Sequence, residues 1–305
     1  MFKIKYIQNI ESSLNYIELK NSYNNSYAKI FFNLGGSLQE LVLNKKKIIN
    51  GLHLLSYETS YSSAILFPFA NRIKNGTYKF QEKTYKLELN QKDENNALHG
   101  LVYNKKFNIV KQKTSREFAS ITLNYTELEK QKGFPFRYSI ILTYTLTMYS
   151  LKLDVTIKNE DLNSFPFNLG WHPYFCSSDL YNSFLTLKSN KKLSFDNNMI
   201  PVTIEDVTLK NDLQIKDKKF DDCYILCDKN VFFKNPDYSI VINSSSKENY
   251  LQLYTPNKTN SIAIEPMTGP SNSFNNKLGL QVLNSGETYN VSWSVKLITN
   301  NSVND

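Results

Sequence analysis

Residues 138–159 read YSIILTYTLTMYSLKLDVTIKN, and this stretch decides the fold class. Apolar side chains recur at every second position in two runs, before and after Tyr149-Ser150: Ile140, Leu142, Tyr144, Leu146 and Met148, then Leu151, Leu153, Val155 and Ile157. A period of two is typical of strands whose side chains point alternately to opposite faces. The stretch therefore predicts a long hairpin with one buried face.

The same alternation recurs on both sides of this hairpin, and helical periodicity of any length is missing. The further strand-like runs are residues 27–33, 38–43, 84–89, 107–112, 119–125, 239–242, 250–254 and 289–298. Strands at such spacing, separated by polar turns, predict an all-β sandwich or barrel. No change of composition marks a linker, so we expect one domain over residues 1–305, with residues 299–305 as a disordered polar tail.

The composition is that of a globular protein with a basic surface. Hydrophobic residues make up 41% and charged residues 21% of the chain, and the formal net charge is +8. A basic chain can bind nucleic acid. Here, however, the lysines are spread along the chain and alternate with apolar residues, as in TYKFQEKTYKLELN (residues 77–90). This pattern is typical of solvated strand faces, and we predict no nucleic-acid partner.

Targeting signals are absent from the sequence as given. The first residues contain no apolar stretch of signal-peptide length, and no run approaches the ~20 apolar residues of a membrane span. The cysteines are Cys176, Cys223 and Cys227, an odd number without metal-site pairing, which we interpret as small core residues in a reducing compartment. These features predict a cytoplasmic protein without a membrane partner.

Five short stretches break the alternating pattern and carry the candidate functional residues. The first is FPFANRIKNGTYKF (residues 67–80), in which Arg72 offers five donors in a rigid fork. A structural ion pair with a carboxylate is an equally good interpretation of this arginine. The second is NALHGL (residues 96–101), where His99 precedes Gly100. A lone histidine in such a place is more often structural than catalytic.

The third stretch is NLGWHPYF (residues 168–175), which holds His172. Pro166 and Pro173 bracket it, so a regular central strand is not expected here. Trp171 and Tyr174 would place flat apolar surface beside a titratable ring, and such surface suits the CH-bearing face of a sugar. The alternative is an aromatic core cluster with an incidental histidine.

The fourth and fifth stretches supply carboxylates. KFDDCYIL (residues 219–226) places Asp221 and Asp222 between a lysine-rich turn and a strand, where a solvated turn is the competing interpretation. In SIAIEPMTGPSNSF (residues 261–274), Glu265 follows directly after a buried strand over residues 261–264. Burying a carboxylate is costly unless it is paired or used, and desolvation would raise its pKa to suit a general base. A structural salt bridge is the alternative.

Together these stretches place one carboxylate, two imidazoles and one guanidinium at strand ends of a β scaffold. The three histidines, His53, His99 and His172, lie far apart and are not supported by cysteine pairs, so metal-site spacing is missing. Nucleophile-elbow, phosphate-loop and dinucleotide fingerprints are missing as well. The pattern therefore favours general acid–base chemistry over the other reaction classes.

With these motifs in hand, the sequence resembles the aldose 1-epimerase (galactose mutarotase) family over residues 31–297. The matching segments, in order, are NRIKNGTYKF, NALHGLVYNKKFNI, GFPFRYSIILTYTL, FPFNLGWHPYF, FDDCY, LQLYT, AIEPMTGPSNSFN and LNSGETYNVSWSVKL. The resemblance implies a large antiparallel β-sandwich of the galactose mutarotase type (a supersandwich), with a sugar cleft on one face.

The resemblance also implies an activity and residue roles. Glu265 matches the general base that takes the proton from the C1 hydroxyl, and His172 matches the acid that protonates the ring oxygen. His99 matches a second imidazole near that oxygen. The implied reaction interconverts the α and β anomers of a hexose by opening and closing the ring.

Substrate contacts follow from the same resemblance. Arg72 and Asp221 match positions that hold sugar hydroxyls, and Asn71 adjoins that site. The implied enzyme uses no cofactor and no metal, acts on a free hexose, and is a monomer or a homodimer. Asp222 departs from the family pattern, because many members carry histidine there.

Two alternatives stay open. A hexose-6-phosphate 1-epimerase would need a cationic pocket, usually built from arginines. The arginines here are Arg72, Arg116 and Arg137, and only Arg72 lies in a catalytic motif. A non-catalytic carbohydrate-binding protein on the same fold is the second alternative, but binding alone does not require the acid–base set.

Overall fold

The computed structural model describes residues 1–51, 55–209, 212–257 and 259–299, and residues 300–305 of the expected tail lie outside this range. Its 26 strands are β1 (Phe2–Ile7), β2 (Tyr16–Asn21), β3 (Ser26–Phe31), β4 (Ser37–Leu43), β5 (Lys46–Asn50), β6 (Ile65–Leu66), β7 (Arg72–Lys74), β8 (Thr77–Phe80), β9 (Lys83–Lys86), β10 (Asn96–Leu98), β11 (Asn108–Thr114), β12 (Ala119–Glu127), β13 (Tyr138–Leu146), β14 (Ser150–Asn159), β15 (Phe165–Phe167), β16 (Gly170–Trp171), β17 (Tyr174–Cys176), β18 (Phe184–Phe195), β19 (Pro201–Asp206), β20 (Leu213–Gln214), β21 (Asp221–Lys234), β22 (Ser239–Ser244), β23 (Tyr250–Tyr254), β24 (Ser261–Met267), β25 (Gln281–Leu283) and β26 (Thr288–Leu297).

Helices are confined to short pieces within the described ranges: a 3₁₀ turn at Ser12–Leu14, α1 (Tyr57–Ser60) and α2 (Ser273–Asn276). The prediction of an all-β, antiparallel fold is therefore confirmed. None of these helices is long or apolar enough to cross a membrane.

The hairpin predicted from residues 138–159 forms as expected. In β13 and β14, Leu142 lies opposite Val155 and Tyr144 opposite Leu153, and these four side chains are buried. Because the period of a strand is two, this register places the alternating apolar positions on one face. The burial of that face explains why the hairpin could be predicted from the sequence of this stretch.

Most of the strands assemble into one nearly closed layer of antiparallel pairs, while β7 with β10, β8 with β9 and β15 with β25 form separate two-stranded sheets. The main series runs β11, β12, β13, β14, β26, β22, β21, β23, β24, β17, β5, β4, β3, β2 and β1. The two ends of the series, β1 and β11, line a common surface pocket. Closing a sheet in this way leaves few free edges and gives an interior for the core.

A core of aliphatic and aromatic side chains fills the space between the two faces. Trp171 and Trp293 are fully buried and stack with ring centroids 6.4 Å apart. A second aromatic group surrounds Phe67, whose ring meets those of Tyr138 at 4.8 Å and Phe167 at 6.0 Å. Aromatic contacts of this kind add to the burial of apolar area. They also fix the segment that follows Phe67, which carries candidate residues.

One interruption in the sheet has direct consequences for function. β16 and β17 both pair with β24, through Gly170 opposite Met267 and Tyr174 opposite Ala263. His172 and Pro173 lie between these two pairings and form no ladder with β24. The sequence prediction that prolines prevent a regular strand here is thus confirmed.

The strand at Glu265 extends further than predicted. We expected the strand to end at Ile264, but β24 continues to Met267 and includes Pro266. A proline removes a ladder hydrogen bond, which normally excludes it from a central strand. Pro266 is tolerated because it lies where the ladder on the β16–β17 side is already interrupted.

The cysteine interpretation is correct only in part. Cys223 is buried, Cys176 is half-buried and Cys227 is exposed, and all three are free thiols. Cys223 and Cys227 do not share an environment, because β21 pairs with β23 up to Ile225 and with β22 from Asn230. Cys227 lies between these two ladders.

Candidate active site

All six residues singled out from the sequence line one cavity of about 490 Å³: Asn71, Arg72, His99, His172, Asp221 and Glu265. They come from five segments that are remote in the chain. The cavity is of the size that small-molecule sites usually have. Its wall is mostly polar, and this suits a polyol better than an apolar ligand.

His172 is held by backbone contacts that replace the missing ladder with β24. Its N–H donates to Ala64 O (3.1 Å), and its carbonyl accepts from the Ser63 N–H (2.8 Å). The imidazole is buried, and burial lowers its pKa to about 4. The interruption of the sheet therefore fixes a neutral imidazole on the cavity wall.

Glu265 faces His172 across the interruption. Its Oε1 lies 3.4 Å from His172 Nε2, and its Oε2 has no hydrogen-bond partner among the described residues. The side chain is almost fully buried. Burial, with the nearby charge of Asp221, raises the pKa of the Glu265 carboxyl well above its ordinary value. Among the described residues, Glu265 does not form the salt bridge with a lysine or an arginine that was the alternative.

His99 stands beside this pair. Its ring centroid lies 5.1 Å from that of His172 in an edge-to-face arrangement, and 4.7 Å from that of Tyr61. Burial, with the nearby His172 ring and the Arg72 guanidinium, holds the pKa of His99 well below its ordinary value. The backbone at His99 is left-handed, and its N–H donates to Asn71 O (2.9 Å). β10 and β7 thus deliver His99 and Arg72 to the cavity together.

Arg72 is tied to two neighbours. Its Nη1 donates to Asn71 Oδ1 (2.9 Å), its Nη2 donates to Glu94 Oε1 (3.0 Å), and its Nε donates to Glu94 Oε2. Both readings of this arginine are therefore correct, because it lines the cavity and also forms an ion pair. Asn71 itself adopts a left-handed backbone, which asparagine tolerates better than most residues.

Asp221 opens β21 and faces the cavity. Its Oδ1 accepts from Gln252 Nε2 (2.7 Å), and burial raises its pKa to about 6 against the lowering effect of Arg72. Asp222 does not line the cavity and pairs with Lys192 instead. Successive side chains of a strand point to opposite faces, which separates the two carboxylates.

Asn168 holds the site segments together from below. It is fully buried, and its Oδ1 accepts from the Ala70 N–H (2.5 Å) while its Nδ2 donates to Ser273 Oγ. Its own N–H donates to Pro68 O (2.8 Å). One side chain therefore joins the segments that carry Asn71, His172 and the chain beyond Glu265.

One sequence interpretation is wrong. Trp171 does not offer its face to the cavity; it is fully buried and stacks on Trp293 in the core. The alternation of side chains along the chain sends Trp171 inward and His172 to the site. Tyr174 does line the cavity, and its hydroxyl donates to Ser60 O (3.1 Å).

Other lining residues escaped the sequence interpretation. Gln252 lies opposite Glu265 in the β23–β24 register, and Glu94 lies in the turn before β10. The LQLYT segment contains Gln252, so the family resemblance marked its strand without marking the residue. For Glu94 the sequence carries no signal beyond a charged turn.

The acid–base residues also carry unused hydrogen-bonding capacity. Atoms without a partner among the described residues include His99 Nδ1, His172 Nδ1, Gln252 Oε1 and Glu265 Oε2. Buried polar atoms are normally paired, so their clustering at one cavity marks a functional site. Within the described ranges, no group of three or more His, Cys, Asp or Glu side chains could hold a metal ion, and His53 lies outside those ranges. That the protein needs neither a metal nor a cofactor stays a prediction.

Known structures share this fold. A galactose mutarotase-like protein from Clostridium acetobutylicum superposes with a TM-score of 0.85 over 97% of this chain and 98% of its own, at 22% identity. Galactose 1-epimerase from Lactobacillus acidophilus NCFM gives a TM-score of 0.82 over 98% and 99% of the two chains, at 16% identity. The predicted galactose mutarotase-like fold is therefore confirmed.

Sequence relatives point the same way. The uncharacterized protein YihR of Escherichia coli (strain K12) is 24% identical over 287 residues, which cover 88% of this chain and 90% of that protein. The galactose mutarotase of Homo sapiens is 28% identical over 146 residues, 46% of this chain and 41% of that protein. The family model described as aldose 1-epimerase matches residues 16–296. The chain therefore belongs to the aldose 1-epimerase family, and this membership implies a sugar substrate.

Proposed function

We propose that the protein is a mutarotase that interconverts the α and β anomers of a free hexose by general acid–base catalysis. Family membership supports carbohydrate epimerase activity in general. The observation that carries the proposal is the pair formed by Glu265 and His172. A carboxyl and an imidazole lie 3.4 Å apart, buried at one cavity, with opposite pKa shifts.

The chemistry requires two proton transfers in opposite directions. Glu265 as carboxylate takes the proton from O1, while His172 as imidazolium gives one to O5. The C1–O5 bond breaks, a C1=O1 double bond forms, and the open aldehyde rotates about C1–C2. His172 then takes the proton back from O5 as the ring closes on the other face, and Glu265 returns its proton to O1. No proton is gained or lost over the cycle.

The electrostatics of the pair suit this exchange. Between the pKa of His172 and the raised pKa of Glu265, the two groups together hold one proton. That proton count is the same in the neutral pair and in the carboxylate–imidazolium pair. Each group can therefore act as acid in one direction and as base in the other. An acid–base partner of this kind contributes ~10²–10⁴-fold in rate.

The remaining polar residues are suited to hold the sugar. We assign Arg72, Asp221 and Asn71 to hydroxyl contacts, and His99 to the neighbourhood of the ring oxygen, beside His172. Gln252 orients Asp221 through its amide. We further propose that the protein works in the cytoplasm, as a monomer or homodimer, without a nucleic-acid or membrane partner.

Polarimetry on freshly dissolved α-D-glucose and α-D-galactose tests the proposal. We expect the wild type to speed the approach to anomeric equilibrium, and His172→Ala and Glu265→Gln each to lose at least ~10²-fold of that acceleration. Glu265→Gln should still bind sugar, because the amide keeps the shape of the carboxylate. Unchanged rates in Glu265→Gln would remove Glu265 from the mechanism, and a wild type silent on sugars would overturn the proposed function.

A further inference from the structure

Glu94 engages the cavity arginine with both of its carboxylate oxygens. The two bonds come from Nε and Nη2 of Arg72, while Nη1 donates to Asn71 Oδ1. The side chains of Arg72 and Glu94 are 12% and 22% exposed, so solvent and salt screen this pair less than a surface pair. Arg72 keeps one further N–H on each of Nη1 and Nη2 for a ligand.

This pairing removes the positive charge that an anion would need. Bidentate arginine–carboxylate contacts are among the strongest charge-assisted hydrogen bonds in proteins. Among the described residues that line the cavity, Arg72 is the only arginine or lysine. Four carboxyl groups share the same wall: Glu58, Glu94, Asp221 and Glu265. The cavity is thus acidic, although the chain as a whole carries a formal charge of +8.

We propose that Glu94 is a specificity-determining residue, which occupies the Arg72 guanidinium and makes the site reject anionic sugars such as hexose 6-phosphates. This inference rests on the proposed mutarotase function. Arg72 then donates hydrogen bonds to uncharged sugar hydroxyls, while Glu94 balances its positive charge. A phosphate dianion would meet carboxylates without a free cation, and the juxtaposition of like charges disfavours its binding.

The test compares α-D-glucose with α-D-glucose 6-phosphate, which differ only in the phosphate. Two variants probe the residue: Glu94→Gln removes the charge with little change of shape, and Glu94→Ala frees the guanidinium. Asp93→Asn is the matched control, because it removes the same charge from the exposed neighbour of Glu94, which does not line the cavity. Anomerisation is followed by polarimetry, and binding of glucose 6-phosphate by calorimetry.

We expect the wild type to act on glucose and to discriminate strongly against the phosphate. In both Glu94 variants the ratio of kcat/KM for the phosphate to that for glucose should rise about tenfold or more, mainly through a lower KM, because each tenfold step needs only ~1.4 kcal/mol. Calorimetry should show the matching gain in phosphate affinity. Asp93→Asn should leave the ratio unchanged.

The outcomes separate the inference from the function on which it rests. Turnover of glucose with an unchanged ratio in both Glu94 variants would overturn the role of Glu94 and leave the mutarotase proposal standing. Wild-type turnover of the phosphate at a rate equal to that of glucose would do the same. A wild type silent on glucose, galactose and their 6-phosphates would instead remove the proposed function itself. An equal rise of this ratio in Asp93→Asn would show that any loss of negative charge near the cavity has the same effect, and it would overturn the specific role of the Glu94–Arg72 pair.

Discussion

At the residue scale, the pKa of the Glu265 carboxyl is set mainly by the surroundings of the side chain. Burial is the main cause of its raised pKa, the negative charge of Asp221 adds to it, and Arg72 opposes it. Because Glu94 neutralises much of the Arg72 charge, the opposing effect is weakened. We therefore expect the ion pair that we connect with specificity also to help keep the pKa of Glu265 raised.

A pH profile of Asp221→Asn tests this electrostatic coupling. In the wild type, kcat/KM should rise with pH through an acidic limb near pH 4, where His172 gives up its proton and the His172–Glu265 pair is left with one. It should fall through a basic limb, where Glu265 loses that last proton. Removing the Asp221 charge lowers the pKa of Glu265, so the basic limb should move to lower pH. The position of the limb decides the question, whatever the loss of sugar contacts does to the absolute rate.

Asp222→Asn supplies the control for that profile. Asp222 is the next residue on the same strand, but it pairs with Lys192 away from the cavity. Its variant should leave the basic limb in place. A basic limb that stays fixed in Asp221→Asn, or that moves equally in both variants, would contradict the coupling.

At the scale of elements, the site is built where the strands fail to pair regularly. β24 keeps its ladder with β23 over Ala263–Met267, but on its β16–β17 side it has no ladder partner between these two residues, and His172 enters the cavity at that gap. The sequence indicated this interruption of strand pairing, because prolines and glycines break an otherwise strict alternation of apolar and polar residues. Sequence reasoning could therefore locate the site segments, since the local breaks that reveal them are also what positions them.

Gly100 shows how tightly one such break is fixed. It follows His99, has a φ of +76°, and a Cβ built on it would lie 2.2 Å from Phe67 O. Gly100→Ala should therefore lower the free energy of unfolding by more than the ~1–2 kcal/mol of a left-handed backbone alone. The shift needed to relieve the clash should also displace His99 and lower kcat. Urea unfolding and polarimetry measure the two effects.

Gly286 is the matched control, with a φ of +75° and no atom within 4 Å of its ideal Cβ. Gly286→Ala should cost only the backbone term and leave kcat at the wild-type value. Equal losses of stability in the two variants would show that the contact with Phe67 is unimportant.

At the scale of the whole molecule, the parts that sequence could not supply are long-range. The alternation of side chains predicted the all-β fold, and the family resemblance indicated six residues that line one cavity. Neither could place Glu94 on Arg72, because the contact depends on how a charged turn folds back over β7. Trp171 was assigned to the wrong face because alternation was not carried through the proline-flanked stretch. The interpretation of the chain as one domain remains a prediction.

The cavity joins segments from across the chain, so a bound sugar should stabilise the whole fold. Its walls include Tyr61, His99, His172, Asp221 and Glu265, which lie in different elements. Asp221 and Glu265 belong to the nearly closed sheet, whereas His99 follows a strand of the separate β7–β10 pair. A ligand that binds only the folded state adds RT ln(1 + [L]/Kd) to the free energy of unfolding, about 2.7 kcal/mol at 100 times its Kd.

Urea unfolding with and without glucose measures this linkage, and we expect the midpoint to rise in the wild type. Glu265→Gln should keep most of the rise, because its amide still fills the base position, whereas Asp221→Ala should lose much of it with a contact to the sugar. Sorbitol at the same concentration controls for the general effect of osmolytes, since it has a similar size and polarity but no ring. A rise of the same size with sorbitol, or in Asp221→Ala, would mean that the stabilisation does not come from the cavity.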